Sequence, residues 1–216
     1  MVAKRKMNEI AVVDLGISNV KSVTKAIEYV GGQATLVSTK EEIKKARKII
    51  LPGVGSFDEA MSRMKKLDLV GALDEKALLQ KIPIMGICLG YQLMSKGSEE
   101  GQKPGLGWVE SETISLRRHL DDDAYKCPHM GWNQVDWVKP SSKDTLFKEV
   151  RLPSRFYFVH SYVPLFEDRN LVIGVTHYGK ELDVCFASGN LFGTQFHPEK
   201  SHVFGLQLIK NFCDLK

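Results

Sequence analysis

Cysteine is scarce and unpaired in pattern. The four in this 216-residue chain, Cys88, Cys127, Cys185 and Cys213, include no C-x-x-C and no metal-ligand spacing. A disulfide framework or a zinc module is thereby excluded as the organising device, and the thiols read as reduced. Long hydrophobic runs are missing as well. The apolar stretch after Lys4-Arg5-Lys6 is only Ile10 to Val13, too short for a signal peptide, and no other run is long enough for a membrane span. A cytoplasmic protein with no membrane partner is expected. Internal repeats, low-complexity linkers and cofactor fingerprints are also absent, so one domain without a cofactor is expected. The acidic run Asp121-Asp122-Asp123 has no matching ligand cluster and reads as a solvated loop, so no metal is expected.

What is present suits a compact enzyme domain. The chain is 43% hydrophobic and 26% charged, and its length suffices to bury a large core. The net charge of +4 invites a polyanionic partner. However, Lys44, Lys45, Arg47 and Lys48 follow directly on Glu41 and Glu42, a pattern that reads as a solvated helix face, and no nucleic-acid partner is expected. Residues 1–8 form a polar extension in which Met7 is an alternative start, and the domain is expected over 9–216.

Apolar periodicity predicts alternating elements in the first half: strands at Ile10 to Asp14, Ala34 to Ser38, Lys48 to Leu51 and Ile82 to Ile87. Helices are predicted at Asn19 to Val30, Glu41 to Ala46, Phe57 to Lys66, Val70 to Gln80 and after Cys88. Such crossovers imply a mostly parallel sheet with helices on both faces. In the second half, Gly107 to Leu116, Gln134 to Val138, Arg155 to Val159, Leu171 to Thr176 and Leu191 to Phe196 read as strands, before a helix at Phe204 to Phe212. The fold class is therefore three-layer α/β with an antiparallel extension of the sheet.

Chemistry concentrates in two segments. In Gly86-Ile87-Cys88-Leu89-Gly90 a cysteine stands between small residues where a buried strand turns into a helix. This is the cysteine analogue of the serine nucleophile elbow, with amides from Leu89 onward placed to favour a thiolate and an oxyanion. Alone, the pattern fits a small residue in an ordinary buried strand better than an elbow. The second segment is Gly193-Thr194-Gln195-Phe196-His197-Pro198-Glu199-Lys200-Ser201. Pro198 biases His197 toward extended backbone, where residues two apart share a side, so His197 and Glu199 can work as base and orienting carboxylate. Together the segments make a Cys88, His197, Glu199 triad the leading reading.

These segments, with the turn Pro52-Gly53-Val54-Gly55-Ser56-Phe57, resemble the class I (triad) glutamine amidotransferases, whose sheet is flavodoxin-like. Pro128-His129-Met130-Gly131-Trp132-Asn133 and Phe156-Tyr157-Phe158-Val159-His160-Ser161-Tyr162 narrow the resemblance to glutaminase subunits that serve imidazole glycerol phosphate synthesis. The resemblance implies L-glutamine as substrate and a (β/α)8-barrel cyclase as partner. It also implies an oxyanion hole from Gly53, Val54, Gly55 and Leu89, reached by a peptide reorientation that the glycines ease. Gln92, Glu100, Ser161 and Tyr162 would hold the glutamine head group, with Glu100 alternatively an exposed acid beside Glu99. Trp132, Asn133 and Lys200 would lie at the partner interface, Trp132 in a turn. Ser18 departs from the family in the loop Asp14 to Asn19, where a second glycine is common. Paralogues that supply ammonia to surface-sugar amidation, and stand-alone cysteine hydrolases, carry the same chemistry.

Overall fold

The computed structural model describes residues 9–120, 125–138, 146–150 and 153–215. The N-terminal extension and the Asp121-Asp122-Asp123 run lie outside the described residues. From the N-terminus, β1 (Glu9–Val13) is followed by α1 (Val20–Tyr29), β2 (Gln33–Val37), α2 (Lys40–Lys45), β3 (Ile49–Gly53) and α3 (Phe57–Lys66). Next come α4 (Val70–Asp74, extended by a π turn, Glu75–Leu79), β4 (Ile84–Cys88) and the single turn α5 (Leu89–Gln92). The second half comprises β5 (Ser111–Ser115), α6 (Leu116–His119), β6 (His129–Trp137), β7 (Ser154–His160) and β8 (Tyr162–Phe166). It closes with β9 (Val172–Tyr178), β10 (Lys180–Ser188), β11 (Leu191–Thr194) and α7 (His202–Asp214).

Strand alternation explains the unbroken apolar runs. Ile10 and Val12 of β1, with Ile50 of β3 and Ile87 of β4, pack under α1 and α7 against Val23, Ile27, Leu208 and Phe212. Their neighbours Ala11, Val13, Ile49 and Leu51 face the other way, against Phe57 and Met64 of α3 and Leu73 of α4. Both faces are covered, so neither position in the alternation can be polar. Local signals set the ends: Thr39 and Glu42 form a capping box on α2, and Gly31, at φ +89°, follows the end of α1.

Among the described residues the main sheet runs β2-β1-β3-β4-β11-β10-β9-β6-β7. The first five strands are parallel, and from β11 onward each pair is antiparallel. β5 and β8 form a separate antiparallel pair. This is the three-layer arrangement with an antiparallel extension that the sequence pattern implies.

Several elements differ from the sequence reading. β6 starts at His129, so Gly131 and Trp132 lie in a strand rather than a turn. β8 and β10 went unread because Pro164 interrupts the first and Asp183, buried against Arg169, interrupts the second. Lys48 does not share the solvated face of its basic neighbours: it is buried, and its ammonium donates to Cys213 O at 2.5 Å, satisfying a carbonyl in the last turn of α7.

The turn around Cys88 admits no side chain at Gly86 or Gly90. A Cβ on Gly90 would run into the Leu51 carbonyl oxygen, and one on Gly86 would meet the Gly90 carbonyl. Gly90→Ala is therefore expected to cost about 3 kcal/mol, or roughly 6 to 12 °C in Tm for a chain of this size. Thermal unfolding of the purified variant within about 2 °C of the parent would show that β3 relaxes and that this constraint is absent.

Candidate active site

Three neighbouring parallel strands end at one level. Register pairs Gly53 of β3 with Cys88 of β4, and Ile87 of β4 with Thr194 of β11. Whatever follows each strand therefore meets outside their carboxyl ends, the usual place for a ligand in an open α/β sheet. β3 supplies Gly53, Val54 and Gly55, β4 supplies Cys88, and β11 leads into Gln195 and His197.

Cys88 has φ +53° and ψ −107°, a region that side chains with a Cβ rarely occupy. Strain of this kind costs about 1 to 3 kcal/mol and persists only where the surroundings impose it. Here the Gly86–Gly90 contact and the parallel ladders on both sides impose it. The helix that follows is one turn long. The fixed positive charge beside the sulfur thus comes from the first free amides rather than from a long summed dipole.

His197 is almost fully buried, and its Nδ1 lies 2.8 Å from Glu199 Oε1. The pair is made across a 3-10 turn, Pro198–Lys200, and not along extended chain as the proline suggested; only His197 itself is extended. Two further bonds fix the turn. Ser201 Oγ donates to His197 O at 2.6 Å, and His197 N donates to Tyr157 O at 2.9 Å. With Nδ1 committed to the carboxylate, Nε2 is left buried and without a hydrogen-bond partner among the described residues. Burial opposes charge on this ring, but the negative charge of the Cys88 sulfur and then the Glu199 carboxylate outweigh it, holding the pKa up to about 10.

A cleft of about 350 Å³ opens over Cys88, lined among others by Val54, Gly55, Leu89, Gln92, Glu100, Ser161 and Tyr162. That volume lies within the roughly 300 to 1,000 Å³ of small-molecule sites. Glu100 is half-buried rather than exposed, and its Oε2 accepts from Phe57 N at 2.9 Å, tying the glycine turn to the cleft wall. Gln92 is buried and its Nε2 is already spent on Tyr162 O at 2.9 Å and Gln195 Oε1 at 3.1 Å. The Ser161 carbonyl accepts from Leu116 N at 2.9 Å. Gly53 also meets a packing demand, since a Cβ there would clash with Leu89 and Gly90 N. Gly55, at φ +100° with open space around it, is the freer of the two.

The three residues expected at the partner interface do not share one face. Trp132 is 39% exposed, stacks on His202 with ring centroids 5.0 Å apart, and meets Tyr157 edge-on at 6.1 Å. Lys200 Nζ sits 5.9 Å from the centre of that same Tyr157 ring, so Trp132 and Lys200 belong to one surface. Asn133, the next residue along β6, points to the opposite side and donates to His177 O at 3.1 Å. Sequence reasoning missed Gln195, whose Nε2 lies 3.6 Å from Cys88 Sγ, and the buried pair His129 and His160. Gln195 was within reach, standing two residues before His197 in a segment already singled out. The histidines are 31 residues apart, and nothing local links them.

Titration of the ring signals by NMR tests these electrostatics. His197 is expected to hold its proton to near pH 10 and to release it at lower pH in Cys88→Ala, because the sulfur's charge is the largest influence raising its pKa. A midpoint between pH 6 and 7 in the parent protein would rule out the ion pair.

A family model described as Glutamine amidotransferase class-I matches residues 11–215. The chain is 43% identical over 206 residues to imidazole glycerol phosphate synthase subunit HisH 2 of Pseudomonas aeruginosa, covering 95% of this chain and 99% of that one. It is likewise 43% identical over 203 residues to the HisH 2 subunit of Methanococcus maripaludis, covering 94% and 98%. In fold it is similar to PurLQS from Thermotoga maritima, with a TM-score of 0.73 at 17% identity and 95% and 96% of the two chains covered. With the elbow, the sheet order and a match over nearly its whole length in agreement, this chain belongs to the class I glutamine amidotransferase family.

Proposed function

We infer that this chain is the glutaminase subunit of an imidazole glycerol phosphate synthase. It hydrolyses L-glutamine to glutamate and passes the ammonia to a cyclase subunit that makes imidazole glycerol phosphate and AICAR in histidine biosynthesis. The observation that carries the reading is Cys88 on a strained elbow, opposite the buried His197–Glu199 pair, at the floor of the 350 Å³ cleft. The names of its relatives support the choice of acceptor.

The chemistry follows from the residues. The carboxamide of glutamine lies over Cys88, and the thiolate adds to its carbon, forming the C–S bond and an oxyanion. Backbone amides of the Gly53-Val54-Gly55 turn and of Leu89 hold that oxyanion. The raised pKa of His197 favours the imidazolium that this step needs. Nε2 gives its proton to the amide nitrogen, the C–N bond breaks, and ammonia leaves. Neutral His197, oriented by Glu199, then takes a proton from water. The hydroxide so formed attacks the thioester, the C–S bond breaks, and glutamate and the thiolate–imidazolium pair are restored. Gln92, Glu100, Ser161 and Tyr162 line the cleft where the amino-acid head group sits.

Ammonia released into water at neutral pH is protonated and lost as a nucleophile, so the site works only against a partner that encloses the exit. The partner is a (β/α)8-barrel cyclase that receives ammonia through its interior, and the surface of Trp132, Tyr157 and Lys200 docks it. Both subunits work in the cytoplasm, and among the described residues no helix is long and apolar enough to cross a membrane.

Glutamate release, assayed with and without the same organism's cyclase and its nucleotide substrate, tests this directly. Strong stimulation is expected, with Cys88→Ala lower by about 10⁴-fold or more and Glu199→Gln by about 10²-fold or more. Activity that needs Cys88 but ignores the cyclase would assign the ammonia to another acceptor, such as a surface-sugar amidotransferase. Trp132→Ala should weaken stimulation more than stability; stimulation equal to the parent's would remove Trp132 from the interface.

A further inference from the structure

Hydrogen bonds run in one line from β6 to Cys88, most of them made by buried side chains. It starts at Asn133, whose amide orientation is set from two sides: Oδ1 accepts from Gln134 N at 2.8 Å, and Nδ2 donates to His177 O at 3.1 Å. The same Nδ2 stands 3.4 Å from His129 Nε2. His129 Nδ1 is 3.0 Å from His160 Nε2, and His160 Nδ1 is 2.9 Å from Tyr162 O. Tyr162 O also receives Gln92 Nε2, Gln92 Nε2 reaches Gln195 Oε1, and Gln195 Nε2 ends the line on Cys88 Sγ.

Donor and acceptor roles along this line are determined. A carbonyl oxygen only accepts, so His160 carries its proton on Nδ1. Burial drives both rings toward the neutral form, with pKa values pushed down to about 4 for His129 and about 3 for His160, the second lowered further by His129 beside it. A neutral His160 then offers Nε2 as an acceptor, His129 must donate from Nδ1, and His129 Nε2 accepts from Asn133. Stacking of His129 between Phe158, at 4.7 Å, and Tyr178, at 4.0 Å, fixes the ring plane.

Burying two imidazoles and two carboxamides beside a nucleophile costs more than an apolar filling of the same shape unless every group is paired, and a fully paired network specifies one geometry. We propose that His129 and His160 are positioning residues for the glutaminase step. They hold the Tyr162 carbonyl, and through it the Gln92–Gln195 amide pair, so that Gln195 donates to the Cys88 sulfur, and they tie that sulfur to the strand that bears Trp132. The proposal deepens the glutaminase reading and rests on it.

The full chain with its cyclase serves for the test. Long-range ¹⁵N–¹H spectra of the parent protein at neutral pH should show both rings as the Nδ1–H tautomer; an Nε2–H tautomer on either ring overturns the line. His129→Phe keeps the stacked ring and removes the donor, whereas His129→Asn restores an N–H near the Nδ1 position. His129→Phe is expected to lower kcat for glutamate release about tenfold, the size of one well-made hydrogen bond between neutral groups. Carboxymethylation of Cys88 by iodoacetate should slow with it, Tm should fall by only a few degrees as His160 Nε2 loses its donor, and His129→Asn should recover most of both rates. A folded His129→Phe whose kcat and carboxymethylation match the parent's would overturn the proposal, and if that variant does not fold, the tautomers decide. Carboxymethylation needs no glutamine. A parent protein without glutaminase activity would therefore sink the functional reading while the relay is still judged by that rate.

Discussion

The parallel pairing of β3, β4 and β11 is the constraint on which the site depends. Because Gly53 lies opposite Cys88 and Ile87 opposite Thr194, the glycine turn, the nucleophile and the approach to His197 emerge at one level. A slip of one residue would turn every side chain of a strand to the other layer. The two cores resist that slip: Ile10, Val12, Ile50 and Ile87 fill one layer while Ala11, Val13, Ile49 and Leu51 fill the other. Burial on both faces is thus what holds Cys88 at φ +53°, and the strain at the elbow is sustained by packing two strands away.

The parts of this arrangement that were legible in sequence are the local ones. Gly86, Cys88 and Gly90 announce an elbow because the turn excludes a Cβ on either side, and His197-Pro198-Glu199 places base and carboxylate within one turn whichever backbone path joins them. Unbroken apolar runs such as Ile10 to Val13 signal doubly covered parallel strands. What was illegible depends on residues far apart in the chain. His129 and His160 meet only because β6 and β7 pair in a register that puts them opposite each other. Lys48 looks like one more surface cation until α7 returns to present Cys213 O to it. Trp132 and Asn133 were read as a unit because they are adjacent, and the strand separates them because adjacent residues in a strand face opposite sides.

The buried charges and the buried neutral rings act on stability from opposite ends of the pH scale. His197 is raised above its ordinary 6.5 to about 10, so its contribution is fully present below about pH 6.5 and is lost as pH rises through 10. His129 and His160 are lowered, so each favours the fold above pH 6.5 and works against it as pH falls toward about 4 and about 3. Near neutrality neither effect opposes the fold.

The antiparallel extension connects an outer surface to the neighbourhood of Cys88. β6 pairs with β7 along its length, Trp132 opposite Tyr157, Met130 opposite Val159 and His129 opposite His160. One face of that pair carries the exposed aromatic rings, while β7 runs on to place Val159 O 4.0 Å from Cys88 Sγ and then Ser161 and Tyr162 on the cleft wall. A parallel sheet alone ends its strands at the site and offers no rigid path from there to a flat outer surface. The added hairpin-like pair supplies one. The ladder of backbone bonds behind Trp132 and Tyr157 also carries His160, which is linked to the sulfur through Tyr162, Gln92 and Gln195. The outward aromatic rings and the His129–His160 pair are carried by the same two strands.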